Sequence, residues 1–244
     1  MFVDRSALGE FVGTALLILL GNGVVAGVLL NKSKAAHAGW ITITAAWALA
    51  VLVAVLVAAS LGDIDQHLNP ALTIASVMMT GHAERLWTFI PAQLLGAFLG
   101  AILVWIFYYS HWQPTESATD KLAVFCTIPA IRSPWNNFVC EVIATFVLVL
   151  VATAIGSKRI APQGTPPGLG PMLVGALIWG IGLSLGGTTG YAINPARDLS
   201  PRLAHALLPI PGKGPSDWSY AWIPIVGPLC GAALAALFIN WQGM

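Results

Sequence analysis

The sequence predicts an all-α membrane protein of six transmembrane helices plus two re-entrant half-helices, arranged as an inverted repeat within a single transmembrane domain, 1–244. Three observations predict it. The chain is 57% hydrophobic and 9% charged, whereas soluble domains carry about 25% charged residues. Six apolar runs reach the roughly 20 residues that a spanning helix needs. Two short phrases, HLNPAL (67–72) and GYAINPARDLSPR (190–202), break the apolar pattern at matched places in the two halves.

The runs cover about 8–30, 38–61, 87–109, 137–156, 168–189 and 219–240. The first is too long for the apolar region of a signal peptide and no small-residue cleavage site follows it, so it is expected to stay as a span. The linkers carry the polar punctuation, among them NKSKAAH, HWQPTESATDK and GSKRIAPQGTPPG. A mean hydropathy of +0.79 makes the lipid bilayer the first partner. The formal net charge of +1 argues against nucleic acid or an acidic partner. Cys126, Cys140 and Cys230 have neither disulfide-framework nor metal-ligand spacing, so no metal and no cofactor is expected. Trp40, Trp87, Trp105, Trp112, Trp218 and Trp222 fall near run ends and read as an interfacial belt. Trp47 lies deeper.

The halves match, about 1–110 against 133–244. GEFVGT (9–14) in the first run pairs with CEVIAT (140–145) in the fourth, each with a Glu four residues before a Thr. Asn69-Pro70-Ala71 follows Glu10, and Asn194-Pro195-Ala196 follows Glu141, at similar separations. QLLGAFLGA in the third run echoes PLCGAALAA in the sixth, small residues suited to close helix packing. Three spans per half is an odd number, so the halves enter from opposite faces, and such repeats place their site near the midplane.

Asn before Pro at a first helical position is a helix start. The apolar stretch after each box, about 11–14 residues, covers roughly half of a bilayer core. The two N-termini then meet mid-membrane. Irregular backbone at that depth survives only when buried in protein or lining a polar cavity. The carbonyls just before the boxes, from Gln66, His67 and Leu68 and from Gly190, Ala192 and Ile193, are thus expected to form a ladder of acceptors. The amides of Asn69 and Asn194 are free to donate to a passing oxygen, while the positive helix ends repel cations. His67 is either a titrating gate or a loop anchor that offers its carbonyl. Arg197, costly at this depth, should face water with its guanidinium against backbone carbonyls, and Asp198 should buttress the loop. Glu10 and Glu141 are either proton relays or, better, a scaffold that accepts loop N–H groups.

These phrases together resemble the aquaporin and glycerol-facilitator family, the major intrinsic proteins, and the likeness covers nearly the whole chain. It implies a homotetramer with one pore per subunit. It also implies a constriction formed by Trp47 in AAWALAV, Gly182 in WGIGLSLGG, Tyr191 and Arg197. Arg followed by Asp198 resembles glycerol facilitators, where water-selective members usually have Arg-Ser and a His at the position of Gly182. On that likeness Gly182 leaves room for a carbon backbone, Trp47 and Tyr191 form an apolar corner, and Arg197 binds hydroxyls. Tyr191 stands where glycerol facilitators usually carry Phe. DIDQH (63–67) replaces the family's usual Ser-Gly-Ala before His.

The resemblance implies a passive channel for small neutral solutes, glycerol and related polyols with water. A water-selective channel, or one for small neutral acids, dihydroxyacetone or hydrogen peroxide, is the near alternative. An ion-coupled secondary transporter, which also uses inverted repeats and broken helices, is the alternative of a different class. No Ser/His/Asp set or phosphate loop sits near either box, so an enzyme is not expected. Arg5, Arg85, Lys158 and Arg159 would lie on one side, and Lys32, Lys34, Lys121, Arg132 and Lys213 on the other, which gives no positive-inside bias. Cytoplasmic termini, a plasma-membrane location and an extracellular linker at about 111–132 therefore rest on the resemblance.

Overall fold

The computed structural model describes residues 4–244. Helices α1 (Arg5–Leu29), α2 (Trp40–Ser60), α3 (Pro70–Thr80) and α4 (Glu84–Phe107) make up the first half. Two short helices, α5 (Tyr109–Trp112) and α6 (Ala118–Phe125), lie in the connection. Helices α7 (Pro134–Gly156), α8 (Leu169–Ser184), α9 (Pro195–Leu207) and α10 (Ile223–Gln242) make up the second half. Five of these are long and apolar enough to cross a membrane. The sixth, α8, has 16 residues, about 24 Å at 1.5 Å per residue. The expected run to 189 stops short because Gly186-Gly187 ends the helix and the chain turns back as a loop to Asn194.

Packing repeats between the halves. α1 lies against α2 and α4, and α7 lies against α8 and α10. Half-helix α3 also packs on α10, and half-helix α9 on α4, so each half-helix is held by the last span of the other half. The α1–α4 contact is close because a Cβ on Gly96 would meet the Phe11 carbonyl; its counterpart Gly231 would meet that of Val142. Phe11 and Val142 directly follow Glu10 and Glu141, so the small-residue seams bring those two carboxylates to equivalent depths. Apolar side chains such as Leu49, Leu95, Ile106, Leu234 and Leu237 stay more than half exposed on the outer faces, as lipid contact requires.

The half-helices are capped by their own sequence. Asn69 Oδ1 accepts the Ala71 N–H at 2.9 Å, and Asn194 Oδ1 accepts those of Ala196 at 3.0 Å and Arg197 at 3.3 Å. Pro fills the first helical position in both, where its missing N–H is not needed. α3 ends on left-handed Gly81. α9 ends under Lys213, whose ammonium donates to the carbonyls of His205, Ala206 and Leu208 at 2.7 Å each. The connection expected as a plain linker is instead partly helical. Ser117 Oγ accepts the Asp120 N–H at 3.1 Å to start α6, which buries Leu122, Val124 and Phe125.

Candidate functional site

The two boxes meet in the interior, and the loops that lead into them are strained. Gln66 and Leu68 in the first loop, and Tyr191 and Ile193 in the second, have φ between +37° and +52°. None is glycine, and each such residue costs on the order of 1 kcal/mol or more. The strain persists because two buried carboxylates hold the loops. Glu10 accepts His67 N–H at 2.6 Å on Oε1, and Leu68 N–H and Gln93 Nε2 at 2.7 Å on Oε2. Glu141 accepts Thr189 Oγ1 at 2.7 Å and Ala192 N–H at 3.0 Å on Oε1, and Ile193 N–H at 2.9 Å on Oε2. The loop N–H groups thus face the carboxylates, on the side away from the central cavity. Gln93 and Thr189 carry no sequence signal for this work. His67 is anchored too: Nδ1 lies 3.1 Å from Thr73 Oγ1, and its ring edge packs on Phe89.

A cavity of about 70 Å³ runs between the loops. Its lining combines apolar side chains, among them Leu17, Val51, Val55, Leu72, Val174 and Ile178, with Asn69, Asn194, Arg197 and the loop residues. It opens at the Asp65 end into a wider vestibule that shares Gln66, His67 and Val55. There Asp65 pairs with Arg85 at 2.8 Å. Burial pushes the Asp65 carboxyl above its usual range, and the Arg85 charge pulls against that shift.

Two of the expected acceptors are already engaged. Asn69 Nδ2 donates to Ile193 O at 2.8 Å, and Asn194 Nδ2 donates to Leu68 O at 2.9 Å. The carbonyls of Leu68 and Ile193 therefore stitch one half to the other, because the opposing amide is the nearest donor. Each Asn keeps a second N–H with no protein acceptor among the described residues. Gly190, with φ +83°, lies beside Thr127.

At the other end of the cavity the Arg197 guanidinium carbon sits 4.5 Å above the Trp47 ring centre, a cation–π contact. Nη1 points to the Phe125 carbonyl at 3.5 Å, at the limit of a hydrogen bond. The other guanidinium N–H groups have no protein acceptor among the described residues. Asp198 does not pair with Arg197. It accepts Thr127 N–H at 2.8 Å, Thr127 Oγ1 at 2.7 Å and Arg202 Nε at 2.8 Å. Arg202, fully buried, also donates to the carbonyls of Ser216, Asp217 and Thr127. It was not expected as a site residue, although its place four residues after Asp198 is an ion-pair spacing on a helix.

Gly182 does not itself line the cavity. A Cβ there would come within 2.9 Å of Thr44 Cγ2 and 3.0 Å of Tyr191 Cζ, so the Tyr191 ring occupies the space a side chain would need. The Tyr191 hydroxyl is buried and has no hydrogen-bond partner among the described residues. Trp40 closes this corner: Nε1 donates to Gly182 O at 3.0 Å and its ring meets Tyr191 edge-on. Trp40, at the start of α2, stays 40% exposed as the belt reading expects, whereas Trp112, 1% exposed and stacked on Phe125, is core. Trp112 departs from the interfacial belt because its indole N–H turns inward to the Trp105 carbonyl at 3.0 Å. Gly182→His is expected to push the Tyr191 ring into the lumen and lower glycerol flux far more than water flux. Equal loss of both in well-folded protein would show that this wall does not set solute size.

The comparisons with known proteins agree with this architecture. The family model described as "Major intrinsic protein" matches residues 2–239. The chain is 54% identical over 233 residues to the glycerol uptake facilitator protein of Streptococcus pneumoniae, covering 95% of this chain and 97% of that one. It is 51% identical over 237 residues to glycerol uptake facilitator protein 3 of Lactiplantibacillus plantarum, covering 96% and 95%. The solved aquaglyceroporin from Plasmodium falciparum superposes with a TM-score of 0.84 at 29% identity, covering 97% of this chain and 95% of that one.

Proposed function

We propose, from the premise that the chain belongs to the major intrinsic protein family, that this multi-pass membrane protein is a passive channel for glycerol and related small neutral polyols, with water. It is a channel, not an enzyme. The observation that carries the reading is the mixed lining of the lumen. Apolar side chains share it with the fixed donors of Asn69, Asn194 and Arg197, and Arg197 lies over Trp47. A polyol offers the matching chemistry, a carbon backbone and a row of hydroxyls. In this reading Trp47, Gly182, Tyr191 and Arg197 form the constriction, with Gly182 acting by making room for the Tyr191 ring. Asn69 and Asn194 supply central donors, and the two helix N-termini oppose cations.

The ion-coupled alternative needs a carboxylate free to exchange a proton or ion at the solute path. Glu10 and Glu141 each accept three hydrogen bonds, and Asp198 accepts from Thr127 and Arg202 away from the cavity. A water-selective channel is disfavoured by Gly182. We further propose one domain of two inverted repeats, cytoplasmic termini, a plasma-membrane location and a homotetramer, whose subunits would cover part of the exposed apolar faces.

Glycerol flux into liposomes holding the purified protein is expected to stay unsaturated to high concentration and to ignore a pH gradient or valinomycin. Stopped-flow shrinkage against a solute panel measures it. Flux that follows the proton motive force would overturn the channel reading in favour of a transporter.

A further inference from the structure

We propose that Gly21 and Asn22 of α1, neither of which lines the cavity, position the two sides of the Trp47–Arg197 constriction and thereby set its preference for polyol over water. The inference rests on the reading of those two residues as the constriction. Gly21 acts on Trp47: any Cβ there would run into the indole ring, so the ring lies flat on the bare α1 backbone. Asn22 acts on Arg197. It is fully buried in mid-span, where a polar side chain is costly without partners. Its Nδ2 donates to the Phe125 carbonyl at 3.1 Å, the same oxygen that Arg197 Nη1 approaches at 3.5 Å. Asn22 Oδ1 is left without a partner among the described residues. An amide kept in apolar surroundings with half its capacity unmet points to a role for the half that is met.

That role is to hold a carbonyl that is otherwise at a helix end. Phe125 closes α6, and its ring packs between Trp112 and His205. The next loop residue but one, Thr127, is clamped by Asp198 and Arg202 from α9. Asn22 adds the α1 side of the clamp. With Phe125 O fixed, Arg197 keeps one anchored nitrogen over the Trp47 face and presents the others to the lumen. Two adjacent residues of one helix thus seat the aromatic floor and the anchor of the cation that rests on it.

The test is a double-mutant cycle of wild type, Asn22→Leu, Arg197→Lys and the double variant, read as the ratio of glycerol to water permeability in liposomes of matched protein content. Asn22→Leu keeps the size and removes the donor. Its ratio is expected to fall about fivefold, the equivalent of one hydrogen bond worth about 1 kcal/mol, with no further fall when Asn22→Leu is added to Arg197→Lys. Gly21→Ala is expected to lower the ratio by pressing the Trp47 ring toward the lumen. A merely structural role would reduce melting temperature or scale both permeabilities together, leaving the ratio alone. If Asn22→Leu does not assemble, Asn22→Ser, smaller and too short to reach the carbonyl, is expected to show the same fall. An unchanged ratio in the assembled Asn22 variants, or losses that add in the double variant, overturns the inference while leaving the constriction reading intact. An unchanged ratio in Arg197→Lys overturns the constriction reading, and the inference with it.

Discussion

Glu141→Leu is expected to abolish solute flux and to destabilise the folded protein by on the order of 3 kcal/mol or more, because it strands three buried donors at about 1–3 kcal/mol each. Those donors are the Thr189 hydroxyl and the N–H groups of Ala192 and Ile193. All three belong to the loop that carries the left-handed residues Tyr191 and Ile193, whose further tie is the Asn69 amide on the Ile193 carbonyl. Relief of the carboxylate's own burial offsets part of the loss, which is why the figure sits at the low end of the sum. Glu141→Gln separates scaffold from relay. Its carbonyl oxygen can still serve Thr189 and Ala192, while its amide faces the Ile193 N–H, so one bond is lost and passive flux should fall only partly. A relay would lose coupled transport entirely on the same change. Thermal unfolding in detergent and glycerol flux in liposomes give the two readouts. Wild-type melting and flux in Glu141→Leu would mean the loop holds itself and the carboxylate has another purpose.

The boxes and their carboxylates were legible in the sequence because their chemistry is local or repeated. Asn followed by Pro specifies a helix start without help from the rest of the chain, and Asn69 and Asn194 cap as that pattern requires. Glu10 and Glu141 stand out because the same phrase occurs twice. What the carboxylates bind was less legible. Gln93 lies 83 residues from Glu10, and nothing in QLLGAFLGA distinguishes its Gln from a surface amide. Trp112 was misread as belt because nearness to a run end is the same for an indole in lipid and an indole donating inward. The Asp198–Arg202 pair and the Ser117–Asp120 cap of α6 had visible spacings, but the apolar pattern around them drew attention to spans alone. Asn22 was visible as a polar residue in mid-run, and only the tertiary fold shows that its partner is Phe125.

Arg197→Val is expected to keep water flux, lower glycerol flux by about tenfold, the equivalent of one charge-assisted hydrogen bond worth roughly 1.5 kcal/mol, and admit protons. The fold should tolerate the change. The Arg197 N–H is still capped by Asn194, Phe125 O is still held by Asn22, and the Asp198–Arg202 clamp does not involve the Arg197 side chain. What disappears is a rigid fork of donors that stays charged at any accessible pH, seated 4.5 Å above Trp47. Glycerol loses the partner for its hydroxyls. Water, smaller and satisfied by Asn69 and Asn194, passes through a wider and less polar opening. A hydrated proton loses the nearest positive charge in its path, leaving only the two helix N-termini against it. Arg197→Lys divides these effects, since it keeps the charge and loses the fork: glycerol flux should fall while ions stay excluded. The measurement is water, glycerol and proton flux for both variants at matched protein content, with proton entry followed by an internal pH dye under a potassium diffusion potential. Wild-type glycerol flux together with intact proton exclusion in Arg197→Val would make Arg197 a structural residue and leave Asn69, Asn194 and the helix ends as the whole of the barrier.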